Sequence, residues 1–318
     1  MQALVLHKGR LSLANRKIPK PDDNECLIEI IRAGICNTDL ELIKGYMDFS
    51  GVPGHEFVGK VISAPVPELI GRRVVGEINI GCEQCEYCLR GRKEHCPHRS
   101  VLGILGKDGV FARYITLPQK NLYPVADCVP DDHAVLIEPL AAAIRIVQQI
   151  HLNPESNIAV LGDGKLGILI AHVLNAMSIY RFTLFGHHKN KLGLLKSRSI
   201  DKKLSIDEKD RHWFDYVIEA TGTHAGFRQA LELLKPQGVL VLKSTVAQSD
   251  SVNLAPVVIN EIKVIGSRCG PFQPALTMLE SGKIDLSGMI SGIYPLENWQ
   301  DAFCEARDKK SMKVLISP

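Results

Sequence analysis

Four closely spaced cysteines constrain this chain more than any other feature. Between positions 82 and 96 it reads Cys82-Glu-Gln-Cys85-Glu-Tyr-Cys88, with Cys96 following after seven further residues. Thiols this close either cross-link or share a metal ion. The opening Met1-Gln-Ala-Leu-Val-Leu-His-Lys lacks the charged start, long apolar core and small-residue cleavage site of an export signal, so it reads as a first strand. A reducing, cytoplasmic setting is therefore expected, where thiolates coordinate rather than oxidise. Four sulfurs at this spacing close a tetrahedron around Zn²⁺ with no open position, which describes a structural site and not a catalytic one. His95 and His98 lie nearby, but four sulfurs already fill the shell.

That lobe needs a larger body. At 318 residues the chain exceeds one ordinary core, since roughly 150 residues make a domain, and two cores are expected. Hydrophobic residues at 45% and charged residues at 23% favour compact folding over disorder. The 38 basic and 35 acidic residues nearly balance at +3. Lys189 to Lys191 and Lys309-Lys310 are too short to form a nucleic-acid footprint. No apolar run reaches the roughly 18 residues of a membrane span. Neither nucleic acid nor a membrane is an expected partner.

Up to about position 135 the chain is a series of short apolar runs broken by turn residues, among them Ala3-Leu-Val-Leu, Cys26-Leu-Ile-Glu-Ile-Ile, Phe57-Val-Gly-Lys-Val-Ile, Arg73-Val-Val-Gly and Ala112-Arg-Tyr-Ile. These read as strands of a mostly β domain. Leu140-Ala-Ala-Ala-Ile-Arg-Ile-Val-Gln-Gln-Ile carries apolar residues at helical spacing, and it predicts a bridging helix over 139–152. From about 157 the texture alternates: strands at Ile158-Ala-Val-Leu, Phe182-Thr-Leu-Phe, Tyr216-Val-Ile-Glu and Gly238-Val-Leu-Val-Leu, with helices over 166–177 and 226–234. Such alternation predicts an α/β domain with a doubly wound parallel sheet. Helical patterns at 275–280 and 299–306 and a strand Lys313-Val-Leu-Ile close the chain.

Directly after the strand Ile158-Ala-Val-Leu comes Gly162-Asp163-Gly164-Lys165-Leu166-Gly167, opening a helix. A lone glycine pattern is weak. A strand–turn–helix setting gives it meaning, because the glycines and the helix N-terminus bring backbone N–H groups up to a pyrophosphate. An acid expected some 20 residues on would hold the adenosine ribose hydroxyls of NAD. Gly186 stands there instead, followed by His187, His188, Lys189 and Lys191. Without that carboxylate a 2′-phosphate is not repelled, and these basic residues could bind one, so NADP is expected over NAD.

Three further segments are bland when taken singly: Gly34-Ile-Cys36-Asn-Thr38-Asp39, Gly54-His55-Glu56 and Ile137-Glu138-Pro139-Leu-Ala. Taken with the cysteine lobe and the glycine loop, in this order and over nearly the whole chain, they resemble the zinc-containing branch of the medium-chain dehydrogenase/reductase superfamily, which holds alcohol, polyol and threonine dehydrogenases.

The resemblance implies a GroES-like catalytic domain over 1–138 and 272–318, and a Rossmann domain over 139–271. It implies two zinc ions per subunit, the second held by Cys36, His55 and Glu138. Glu56 would exchange near that metal, Asp39 would orient the imidazole of His55, and Thr38 would start a proton relay. A relay histidine found in some relatives is Glu41 here. Zinc as Lewis acid would bind the oxygen of an alcohol or carbonyl substrate while hydride passes to or from nicotinamide. Asp215-Tyr-Val-Ile-Glu219-Ala-Thr221-Gly222 would lie beneath the coenzyme, Gly266, Ser267 and Arg268 near the nicotinamide, and Lys313 at the pyrophosphate. A homodimer or homotetramer would form through the Rossmann edge near Cys269 and Pro271. The loop Ala64-Pro-Val-Pro-Glu-Leu-Ile-Gly is shorter than is usual in the family. Two competing readings share the fold: a zinc-free enone or quinone reductase, and a non-catalytic nucleotide-binding protein. The Cys36, His55 and Glu138 set argues against the first, and Thr38 with that set against the second.

Overall fold

The computed structural model describes every residue except 154, 178–180, 198 and 246–250. The chain divides into two compact units, Met1–Glu138 with Ile290–Pro318, and Pro139–Met289.

The first unit is organised by the strand Glu25–Ile35. Its residues alternate inward and outward, and Cys26, Ile28 and Ile30 are almost wholly buried. Around it forms a seven-stranded sheet. Glu56–Ser63 and Tyr114–Pro118 pair with it antiparallel, and so does Lys313–Ser317 from the far end of the chain. Register matters most at its C-terminal end. Gly34 lies opposite Glu56 on one side, and Ile35 opposite Val314 on the other. Residues next to 36, 56 and 313 therefore meet at one point of the sheet. Gly34 is required by that approach, since a Cβ there would lie 2.5 Å from Glu56 Oε2. Behind the sheet Phe111 packs edge-on against Phe303, ring centroids 5.8 Å apart; each such buried side chain contributes roughly 1.5–3 kcal/mol through area removed from water.

The second unit holds six parallel strands in the spatial order Ile200–Lys203, Phe182–Phe185, Ile158–Leu161, Phe214–Glu219, Leu234–Leu242, Lys263–Gly266. In chain order this is 3-2-1-4-5-6, the doubly wound arrangement whose switch point lies beside the first strand. All four residues of Ile158–Leu161 are buried, as covering helices on both faces require. The helix Lys165–Ala176 buries an unbroken stretch from Gly167 to Leu174.

Most expected elements are present with shifted ends, the bridging helix running Ile137–Gln149. Among the described residues some strands carry no apolar signature, two of them lying at the second unit's sheet edge and at the return to the first unit. Ile200–Lys203 is Ile-Asp-Lys-Lys at a sheet edge, and Ile290–Pro295 alternates between half-buried and exposed. The return to the first unit falls after Met289 and not after 271. The intervening segment is held within the second unit, with Lys196 Nζ 3.1 Å from Asp285 and Gly288 against Leu194. Among the described residues no helix is long and apolar enough to cross a membrane.

Candidate functional site

Cys36 ends the central strand of the first unit and caps the short helix Asn37–Ile43. Its N–H donates to Asp39 Oδ2 at 2.7 Å, so Asp39 fixes the turn that presents the sulfur. The other oxygen of Asp39 lies 3.6 Å from His55 Nδ1, both groups being buried. Thr38 Oγ1 stands 3.8 Å from the Cys36 sulfur. Ligand atoms of Cys36, His55 and Glu56 all lie within 4.8 Å of one another.

The electrostatics of this cluster are set by burial working against its own opposite charges. Burial opposes charge on His55, but Asp39 outweighs it and Cys36 adds to the effect, raising the imidazole well above its ordinary value. Glu56 is fully buried; one carboxylate oxygen is ion-paired to the Lys313 ammonium, and Oε1 has no hydrogen-bond partner. Burial likewise opposes the charge on Lys313, while Glu56 and then Cys36 raise it. A cysteine sulfur, an imidazole and a carboxylate gathered this closely are donor types that Zn²⁺ takes.

Glu138 lies in the first turn of the helix Ile137–Gln149 but outside this group; the third donor brought in is the neighbour of His55, Glu56. Lys313, expected at the coenzyme pyrophosphate, is 1% exposed and donates to Glu56 and, at 3.4 Å, to the carbonyl of Ile35. The register around Gly34 places it there, which no local pattern could signal.

Cys82, Cys85, Cys88 and Cys96 also gather within 4.8 Å. The N–H groups of Gln84 and Cys85 aimed at its sulfur bring Cys82 down to about 6, whereas burial and then the thiols of Cys85 and Cys96 push Cys88 up to about 12. Four sulfurs cannot all shed protons without a compensating cation, and that is the condition a structural zinc satisfies.

In the second unit Gly162 adopts φ +121°, and a Cβ there would lie 2.7 Å from the carbonyl of Ala220. A Cβ on Gly167 would meet the Gly162 carbonyl at 2.0 Å, while Gly164, the cap of Lys165–Ala176, faces open space. The loop thus presses against strand and helix on one side and stays clear on the other, as a pyrophosphate cradle requires. Lys165 and Leu166 form the first turn behind it. Past the next strand Gly186 is buried, His187 and Lys189 are exposed, and Lys191 is 5% exposed, so Lys191 is not the surface cation its sequence suggested. Asp163, in the loop between the glycines, accepts hydrogen bonds from the backbone N–H groups of both His187 and His188.

The structure gives Glu219 a role its segment alone did not show, and it adds Lys243, which sequence reasoning missed. Glu219, fully buried, accepts from the Thr221 N–H at 2.7 Å, the Thr221 hydroxyl at 2.6 Å and Ser244 Oγ at 2.9 Å, so Thr221 is oriented by an acid two residues earlier. Lys243 donates to the carbonyl of Ala142, to Ser267 Oγ and to the Arg268 carbonyl, pinning the segment that follows Gly266. A charged residue ending each apolar strand was the available signal.

Comparison with known proteins agrees with this geometry. Residues 22–127 match the alcohol dehydrogenase GroES-like domain family and residues 164–281 the zinc-binding dehydrogenase family. D-arabinitol dehydrogenase 1 of Uromyces fabae is 28% identical over 341 aligned residues, covering 100% of this chain and 97% of that protein. Sorbitol dehydrogenase of Halalkalibacterium halodurans is 26% identical, with 100% and 99% covered. A cobalt- and zinc-bound thermostable alcohol dehydrogenase from Pyrobaculum aerophilum superposes with TM-score 0.88 at 25% identity, covering 100% and 99%.

Proposed function

Because this chain belongs to the zinc-containing medium-chain dehydrogenase/reductase superfamily, we propose that it transfers hydride between an alcohol or polyol, or the matching carbonyl compound, and a nicotinamide dinucleotide. The observation that carries this is the convergence of Cys36, His55 and Glu56, with the buried Glu56 Oε1 left unbonded, at one end of the central strand.

Cys36 and His55 would hold a catalytic zinc. Glu56 is the carboxylate gathered with them, and Glu138 is the third ligand that the family resemblance supports. Bound there, zinc supplies Lewis-acid polarisation of the substrate oxygen, and the coenzyme takes or returns the hydride. The remaining work falls to the chain. Asp39 holds the imidazole of His55 and the turn at Cys36. Thr38 Oγ1, beside the sulfur, receives the substrate proton and passes it outward. Glu41 is committed to Lys44 at 2.8 Å. Lys313 holds one oxygen of Glu56 in a buried ion pair and leaves Oε1 as the oxygen that could face a metal. The four-cysteine lobe holds a second zinc.

On the coenzyme, Gly186 supports NADP over NAD from sequence, whereas the carboxylate of Asp163 beside it supports NAD. A second copy of the chain is the proposed partner, in a homodimer or homotetramer. Lys263–Gly266 is the outermost strand of its sheet, and Val264, Val258 and Ile259 next to it are 43%, 75% and 77% exposed, an edge of the kind that pairs. The reducing chemistry of the thiol lobe supports a cytoplasmic location.

The experiment is a zinc count by elemental mass spectrometry joined to a screen of alcohols, polyols and amino alcohols at 340 nm with both coenzymes. Two zincs in the parent, one in Cys36→Ser, and turnover lost with the second are expected. One zinc in the parent, still present after Cys36→Ser, would withdraw the mechanism.

A further inference from the structure

The strand end where dinucleotide folds place a ribose-binding acid is Gly186 here, but the space beside it is occupied. A Cβ built on Gly186 would lie 2.5 Å from Asp163 Cβ and 2.7 Å from Asp163 Oδ2. A carboxylate therefore stands where the side chain of a strand-end acid would begin, and it arrives from the glycine loop one strand away. The two positions form an exchange: Asp163 needs position 186 to be glycine, and glycine at 186 leaves room for Asp163.

The carboxylate is fixed in place. Its side chain is 10% exposed. Oδ2 accepts from the N–H of His187 at 2.7 Å and of His188 at 2.6 Å, and lies 3.0 Å from His188 Nδ1. Burial pushes its carboxyl upward, but the backbone and ring of His188 and the backbone of His187 outweigh that and hold it below the usual range. Backbone N–H groups in the turn after a strand are the donors that an anion at this point would use, and Asp163 has taken both. Its second oxygen, Oδ1, accepts no hydrogen bond from any described residue, so one charged acceptor remains.

Building on the reading of this loop as a dinucleotide site, we propose that Asp163 selects the coenzyme. Oδ1 accepts the adenosine 2′-hydroxyl of NAD, while its charge, with both backbone donors already occupied, turns away the 2′-phosphate of NADP. The acid missing at position 186 is thus supplied from position 163, and NAD replaces NADP as the expected coenzyme. Gly186→Asp is also no test of coenzyme choice, since its Cβ would collide with Asp163.

The test titrates the zinc-replete full-length protein with NAD⁺, NADP⁺ and 2′-deoxy-NAD⁺ by calorimetry. The parent is expected to bind NAD⁺ about tenfold or more tighter than either other compound, the scale of a charged hydrogen bond or a close like-charge contact. Asp163→Asn, which removes the charge and keeps the shape, is expected to narrow the NAD⁺ to NADP⁺ ratio by about tenfold, mainly through gained NADP⁺ affinity. NADP⁺ binding as tightly as NAD⁺ in the parent, 2′-deoxy-NAD⁺ binding as tightly as NAD⁺, or an unchanged ratio in a folded Asn variant would each overturn the proposal. The two parent comparisons decide it even if the variant does not fold. Failure of the parent to bind any of the three would instead remove the dinucleotide reading itself.

Discussion

Replacing Lys313 by methionine isolates the most consequential contact in the catalytic unit. The ammonium and the Glu56 carboxylate are 1% and 0% exposed, and they form an ion pair across a register set by the central strand. Removing one partner of such a pair leaves a charge in a low-dielectric interior, which costs about 3–5 kcal/mol. At about 1.4 kcal/mol per tenfold, the folding constant of that unit should fall by at least a factor of about 100. The chain has only two tryptophans, and Trp213 in the other unit is 53% exposed. Trp213→Phe therefore leaves Trp299, packed edge-on to Phe303 with centroids 6.3 Å apart, as the reporter of the unit that holds the pair. Urea unfolding followed by that fluorescence should show the loss in Lys313→Met. The double variant with Glu56→Gln should lose clearly less than the two single losses together, because no buried charge remains uncompensated. A loss within about 0.5 kcal/mol for Lys313→Met, the range of an ordinary surface change, would refute the buried-pair reasoning.

Other outcomes follow from the same physics. The folded-state value of His55 lies above its ordinary 6.5, so the metal-free protein gains stability from it below about pH 6.5 and loses that gain as pH rises through the raised value. Zinc requires the neutral imidazole, so its binding at pH 7 should release a proton that calorimetry in two buffers will count; an equal count in His55→Ala would contradict this. His172 behaves oppositely. Burial, partly offset by Asp285, lowers it to about 4, so the unfolded chain binds its proton first and stability falls between about pH 6.5 and 4, by up to roughly 3 kcal/mol. His172→Leu should flatten that acid limb of urea unfolding, and an unaltered limb would show that other groups dominate. Cys96→Ser should cost one zinc and most of the soluble yield while Cys36→Ser costs one zinc and little stability; equal stability losses would erase the distinction between structural and catalytic sites.

Local patterns carried most of the fold. The lobe was legible because its four sulfurs lie close along the chain, and the cradle because Gly162 must take a left-handed backbone and Gly167 has no room for a side chain. Buried strands such as Ile158–Leu161 announced themselves as apolar runs, whereas Ile200–Lys203 could not, since an edge strand with polar side chains leaves no trace beyond its backbone pairing. The late return at Ile290 was hidden for a similar reason: Asp285 and Gly288 are held by residues far back in sequence.

By itself, then, the sequence determined the four-cysteine lobe, the glycine loop and the alternation that builds a doubly wound sheet. The first two depend on residues a few positions apart, where spacing is already geometry, and the third on apolar runs that are each local. Only the tertiary structure decided that Lys313 answers Glu56, that Glu56 stands with Cys36 and His55, and that Asp163 fills the space left by Gly186. Those facts are contacts between strands and loops remote in sequence. Sheet register and the lack of a single Cβ set them, and neither leaves a periodic mark along the chain.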